Sequence, residues 1–228
     1  MRSAPRVSHA LFTVLLALVI AGCFDGSLPA QVNVVTANYG NERTNANLQE
    51  TILNCANVSA AGFGKLGVFP VDGRIFAQPL YVSGVALSDG TVRNVLYLAT
   101  MHNSVYAFDA DAPNVSDPLW HVNVGPPVPS SFLKEPVLNP EVGILSTPVI
   151  DALRNVVYVV AETFESGKPV FRLHALSLSD GQEVLGGPSE INSAVRGDGD
   201  MAENGTIAFD PPNTFNVPAC CSQRAAST

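Results

Sequence analysis

Two imidazoles and a few acids are the side chains to which chemistry can be assigned first. His102 lies in the polar run Thr100-Met101-His102-Asn103-Ser104, and His121 follows Trp120 in Pro118-Leu119-Trp120-His121-Val122. Either ring could ligate a metal, but zinc centres need several His or Cys ligands at short, fixed spacings, and the sequence has none. A hydrogen bond within a turn explains His102 more simply. Glu141, directly before Val142-Gly143-Ile144-Leu145, leads a short set of acids with Asp151 and Glu162; most other acids read as solvated loop residues. No Ser/His/Asp set, Gly-rich phosphate loop or paired-carboxylate motif stands out, so no catalytic residue and no metal ligand is assigned. Asn57-Val58-Ser59, Asn114-Val115-Ser116 and Asn204-Gly205-Thr206 match glycosylation acceptors by spacing.

The elements that must position these residues are strands. From Asn94 to Asp111 the chain reads as a hairpin: Val95, Tyr97 and Ala99 share one face, Leu96 and Leu98 the other, and Thr100 to Ser104 turns the chain into Val105-Tyr106-Ala107-Phe108. One hairpin buries too little apolar surface to stand alone. The pattern recurs: Asn155-Val156-Val157-Tyr158-Val159-Val160-Ala161 answers Asn94 to Thr100, and His174-Ala175-Leu176 answers Tyr106-Ala107-Phe108. A Pro-led apolar run precedes each copy, at Pro79-Leu80-Tyr81-Val82 and Pro148-Val149-Ile150-Asp151. From Pro79 to Pro148 is 69 positions, from Tyr97 to Tyr158 is 61 and from Ala107 to Ala175 is 68, which places insertions in loops, including a longer hairpin turn at Thr163 to Val170. Such a period, with several strands per unit, predicts β-propeller blades. An ordinary sandwich containing two similar hairpins is the alternative.

Bulk composition agrees with a folded β protein: 46% of the 228 residues are hydrophobic, 14% are charged, and 18 Gly with 17 Pro favour short strands and turns. A formal charge of −8 excludes a phosphate-binding surface, because nucleic-acid partners need clustered Lys and Arg. Arg2 and Arg6 followed by the apolar run Ala10 to Ala21 form a secretory leader, too short to span a bilayer. The leader ends in Ile20-Ala21-Gly22-Cys23, which resembles a bacterial lipobox and makes Cys23 a lipidation site; a conventional leader cut after Ala30 is the other reading. Either predicts export. The remaining cysteines, Cys55, Cys220 and Cys221, are too few and too scattered for a disulfide framework.

A further resemblance rests on particular residues. Tyr39-Gly40-Asn41-Glu42, Ile52 and Asn57-Val58 resemble the lead-in of quinoprotein alcohol dehydrogenase-like propellers. The hairpin copies resemble that superfamily's pyrroloquinoline-quinone-type repeat, with a Pro-led strand, a Val-Tyr-Val strand and a Tyr-Ala-Leu/Phe-Asp strand closing on a turn and a Trp. Trp120 stands where that Trp is expected; Val184 or Leu185 stands there in the second copy. The resemblance covers Tyr39 to about Asp210. It implies pyrroloquinoline quinone with calcium as a possible cofactor pair, Glu141 as the first residue to consider near it, and a vicinal disulfide at Cys220-Cys221. Against that disulfide, the pair follows the second repeat and continues Ser-Gln-Arg, unlike the superfamily's early, acid-flanked pair.

The expected fold is all-β: a partial propeller of about two four-stranded antiparallel blades behind an irregular lead-in. Residues 1–22 are the leader, 23–62 the tether and lead-in, 63–125 and 146–191 the blades, 206–210 the start of a third, and 211–228 a non-repeat tail. Within the first blade, Phe63 to Gly73 is expected to supply an outer strand, and the array reads as truncated. The expected function is a non-catalytic binding or scaffold module of the bacterial envelope. It would be lipid-anchored through Cys23 or secreted, with envelope proteins as partners. The N-terminal part of a quinone-dependent dehydrogenase is the alternative.

Overall fold

The computed structural model describes residues 32–133, 140–200 and 202–211. The expected leader, Cys23, the start of the expected tether through residue 31, Cys220, Cys221 and almost all of the tail lie outside the described residues. Among the described residues the fold is all-β, built from several small antiparallel sheets, none of which closes on itself.

Two sheets of four strands carry the core. The first runs β1 (Leu80–Ala86), β2 (Val92–Ala99), β3 (Ser104–Asp109) and β4 (Trp120–Asn123) in sequence order. The second has the order β10-β9-β8-β7, from β7 (Val149–Asp151), β8 (Val156–Glu165), β9 (Lys168–Ser177) and β10 (Ser189–Glu190). Between them lie the two-residue strands β5 (Val128–Pro129) and β6 (Glu141–Val142), which pair with each other, and the one-turn helix α1 (Ser130–Leu133). β11 (Ala194–Arg196) and β12 (Thr206–Ala208) form a separate hairpin.

Both four-stranded sheets keep the same register at the positions that repeat in sequence. Leu80 pairs with Tyr97 and Tyr97 with Ala107; Val149 pairs with Tyr158 and Tyr158 with Ala175. The strands form here because β-branched and aromatic residues suit a pleated surface, and alternation then sorts them by face. Val95, Tyr97 and Ala99 share one buried cluster with Val157, Val159 and Ala161 of the other sheet. Leu98, Tyr106 and Phe108, on the opposite side of the first sheet, pack with Phe69, Val71 and Leu96. Because Tyr97 corresponds to Tyr158, the two sheets meet through unlike faces. The contact is head-to-tail, not two-fold.

Two expectations fail. Phe63 to Gly73 forms no strand: Leu66 and Val68 are exposed, and Phe69 instead lays its ring against Phe108 with centroids 4.8 Å apart. Gly67 packs so closely on Pro113 that a Cβ would lie 1.9 Å from the Pro113 carbonyl oxygen, so this stretch is fixed by side-on packing without a ladder. The expected loop at Thr163 to Val170 is ladder almost throughout, with Thr163 paired to Val170 and Glu165 to Lys168. Only Ser166 and Gly167 turn, at φ of 49° and 83°, the left-handed pair that a two-residue hairpin requires. Arg172 Nε and Nη2 grip Glu165 Oε1 and Oε2 at 2.6 Å each, continuing the ladder that composition alone broke off.

Candidate functional site

The richest polar cluster forms where the β2–β3 hairpin turns. A strand must reverse between Ala99 and Ser104, and the turn is closed by Thr100 N–H donating to Ser104 O at 2.9 Å and Asn103 N–H to Thr100 O at 3.1 Å. Asn103 takes the left-handed conformation, φ 59°, that asparagine tolerates. Asp72, on the segment leading into β1, accepts from Thr100 Oγ1 at 2.9 Å and from Ser104 Oγ at 2.6 Å. Asn123 Nδ2, at the end of β4, donates to His102 O at 2.7 Å and to Ser104 Oγ at 3.2 Å. Three separate segments thereby hold His102 in place.

The structure brings two sequence candidates together: His102 Nδ1 lies 2.9 Å from Glu141 Oε1. The hydrogen bond to Glu141 raises the His102 pKa above its ordinary value; desolvation opposes it, and the charges of Glu141 and Asp72 add to it. With Nδ1–H donating to the carboxylate, Nε2 is the position at which this ring can hold or release a proton. The side chain is 44% exposed. His121 belongs elsewhere, stacked on Tyr106 with centroids 4.2 Å apart.

Beside this pair lies a buried one. Asn103 is fully buried and donates from Nδ2 to the backbone carbonyl of Glu162 at 2.8 Å, tying the first hairpin to β8. Gly143 makes this approach possible, since a Cβ there would stand 2.3 Å from Met101 O and 2.4 Å from Asn103 Oδ1. Glu162 is 1% exposed, and among the described residues its Oε1 has no hydrogen-bond partner. Burial disfavours the charged form and pushes its carboxyl up to about 8. At neutral pH Glu162 is therefore mostly a neutral acid.

A third constellation joins the sheets. Tyr97 OH and Trp120 Nε1 both donate to the Leu178 carbonyl, at 3.0 and 2.9 Å. Gly181 closes the turn beneath the indole at φ 72°, where a Cβ would lie 2.6 Å from the ring. In the second copy Val184 N–H donates to Ala175 O, as Leu119 N–H does to Ala107 O in the first, so Leu185 follows in the place of Trp120. It is 68% exposed.

The described carboxylates do not converge on a calcium and quinone set. Glu141 is held by His102, Asp72 by two hydroxyls, Asp151 by Arg154 and Glu183 by His174 Nδ1 at 2.8 Å, while Glu162 is buried and neutral. Among the described residues no group of three or more His, Cys, Asp or Glu could hold a metal ion. Sequence reading marked His102 and Glu141 separately and passed over Asp72; the Asp72-Gly73 turn, with Gly73 at φ 60°, is the local signal that could have marked it. No protein-family model, curated protein or solved structure matches this chain.

Proposed function

We propose that the chain is part of an exported β-propeller repeat protein, acting as a non-catalytic binding or scaffold module of the bacterial cell envelope. One observation carries the reading: two sheets that share register at Leu80/Val149, Tyr97/Tyr158 and Ala107/Ala175 are stacked through unlike faces, with Tyr97 and Trp120 of one copy docked on the Leu178 carbonyl of the next. A sandwich of two similar hairpins would bring like faces together. Head-to-tail contacts instead repeat around a ring. Fold alone does not fix activity, and the partnered carboxylates favour binding over quinone chemistry.

The second reading is the N-terminal part of a pyrroloquinoline-quinone-dependent dehydrogenase. The His102–Glu141 pair favours it, because a carboxylate-oriented imidazole is equipped for proton transfer. Titrating the purified chain with pyrroloquinoline quinone and calcium, while following thermal unfolding and cofactor absorbance, separates the two. A ligand that binds only the native state raises its stability by mass action. A cooperative transition that does not move supports the binding module; a saturable rise transfers the assignment to the dehydrogenase.

A further inference from the structure

We infer that Asn204 is a site of self-modification, converting through a cyclic imide to aspartate and isoaspartate. Asn204-Gly205 is the only Asn-Gly pair in the sequence. It occupies the two-residue turn between Glu203 and Thr206, whose backbone groups bond to each other at 2.8 and 3.0 Å. Asn204 and Gly205 sit at φ of 51° and 74°, the left-handed pair of a type I′ turn. Asn204 is exposed, and among the described residues its side-chain amide and the Gly205 N–H have no hydrogen-bond partner, while the space around Gly205 where a side chain would stand is open. Electrophile and nucleophile are adjacent, solvated and unengaged.

The chemistry balances with water alone. The Gly205 nitrogen loses its proton and bonds to Asn204 Cγ, and the side-chain nitrogen departs as ammonia. Water then opens the five-membered ring. Cleavage of the new Cγ–N bond leaves aspartate, and cleavage of the original backbone bond leaves isoaspartate, with the main chain routed through the side-chain carbon. Attack requires the turn to open. Three residue pairs and the flanking bonds from Gly197 N–H to Gly205 O and from Phe209 N–H to Ser193 O hold this short hairpin, and β11 is exposed throughout, so it belongs to the less protected part of the fold. The product adds a negative charge and, as isoaspartate, an extra backbone atom where two left-handed residues are required. Phe209, just beyond β12, contacts Phe171 edge-on at 5.4 Å, so the change falls beside one wall of a cleft of about 320 Å³.

Two other asparagines provide internal controls, because both precede serine, another small residue. Asn103 is buried with its amide bound to Glu162 O, and Asn192 is exposed with Nδ2 3.5 Å from Glu190 Oε1. The test is incubation of the full chain at mildly alkaline pH, where the attacking amide is more readily deprotonated, followed by peptide mapping by mass spectrometry with isoaspartate detection. Asn204 is expected to convert ahead of Asn192 and Asn103 and to yield both acids, and Asn204→Gln to remain unchanged. Conversion of Asn192 or Asn103 at the same rate, or formation of aspartate with no isoaspartate, overturns the inference.

Discussion

Stability should fall as pH rises from acid to mildly alkaline, and one side chain should account for most of the fall. A buried carboxyl whose folded pKa exceeds its unfolded value binds its proton more tightly in the native state, so its contribution is complete below the unfolded value and lost as pH climbs through the folded one. For Glu162 those values are 4.5 and about 8. At about 1.4 kcal/mol per pH unit the interval corresponds to roughly 5 kcal/mol, comparable with the whole stability of a small domain. The perturbation is Glu162→Gln, which keeps the shape and removes the titration. Urea unfolding of both proteins at intervals from about pH 5 to pH 9 provides the comparison, since extrapolated free energies subtract directly when the transitions are two-state. Groups other than Glu162 titrate in both chains and cancel. The variant is expected to match the parent near pH 5 and to exceed it by several kcal/mol near pH 9. A difference that stays constant across the range would refute the claim that an ionised Glu162 is what burial opposes.

Replacing Trp120 with Ala is expected to cost about 3–5 kcal/mol in urea unfolding, and with Phe less, because the ring remains while one hydrogen bond to Leu178 O is lost. Glu141→Gln should return the His102 pKa toward 6.5, read by NMR titration of the ring protons, while the parent titrates above that value. Gly143→Ala should cost about 1–3 kcal/mol, since its φ is ordinary and the penalty comes only from overpacking Met101 O and Asn103 Oδ1. Glu165, held by Arg172 and Thr163 at about 2, contributes in the opposite sense to Glu162: Glu165→Gln should remove a stabilisation present above 4.5 and lost as pH falls toward 2, visible as a shallower acid limb.

The register of the two large sheets was legible because three landmarks recur and a strand fixes its faces by alternation. Leu80 and Val149, each directly after its proline, Tyr97 and Tyr158, and Ala107 and Ala175 all fall at matching ladder positions despite unequal spacing. The limit of that reading shows at Thr163 to Val170. Polar Thr163, Glu165, Ser166 and Lys168 look like loop, yet the ladder continues because Glu165 and Arg172 satisfy each other across it. Phe63 to Gly73 failed for the converse reason: it alternates like a strand but finds no partner edge, and apolar alternation without hydrogen bonding makes only an extended segment. At the polar cluster the sequence supplied His102 and Glu141 but not their meeting. A contact between residues 39 positions apart depends on how β6 is brought to the hairpin, and no local pattern encodes that.

Glu162 shows what a repeat imposes on the residues that occupy it. Counting on from the Tyr97/Tyr158 pair, Glu162 falls where the first copy has Met101, and each is 1% exposed. Alternation along the unbroken β8 ladder puts Glu162 on the face opposite Val157, Val159 and Ala161, so its burial is separate from the contact between the two sheets. A thioether satisfies a dry site at no electrostatic cost; a carboxyl can do so only by keeping its proton. The raised pKa is therefore a consequence of burial, and the pH dependence of Glu162 tests that burial without reference to any ligand or partner.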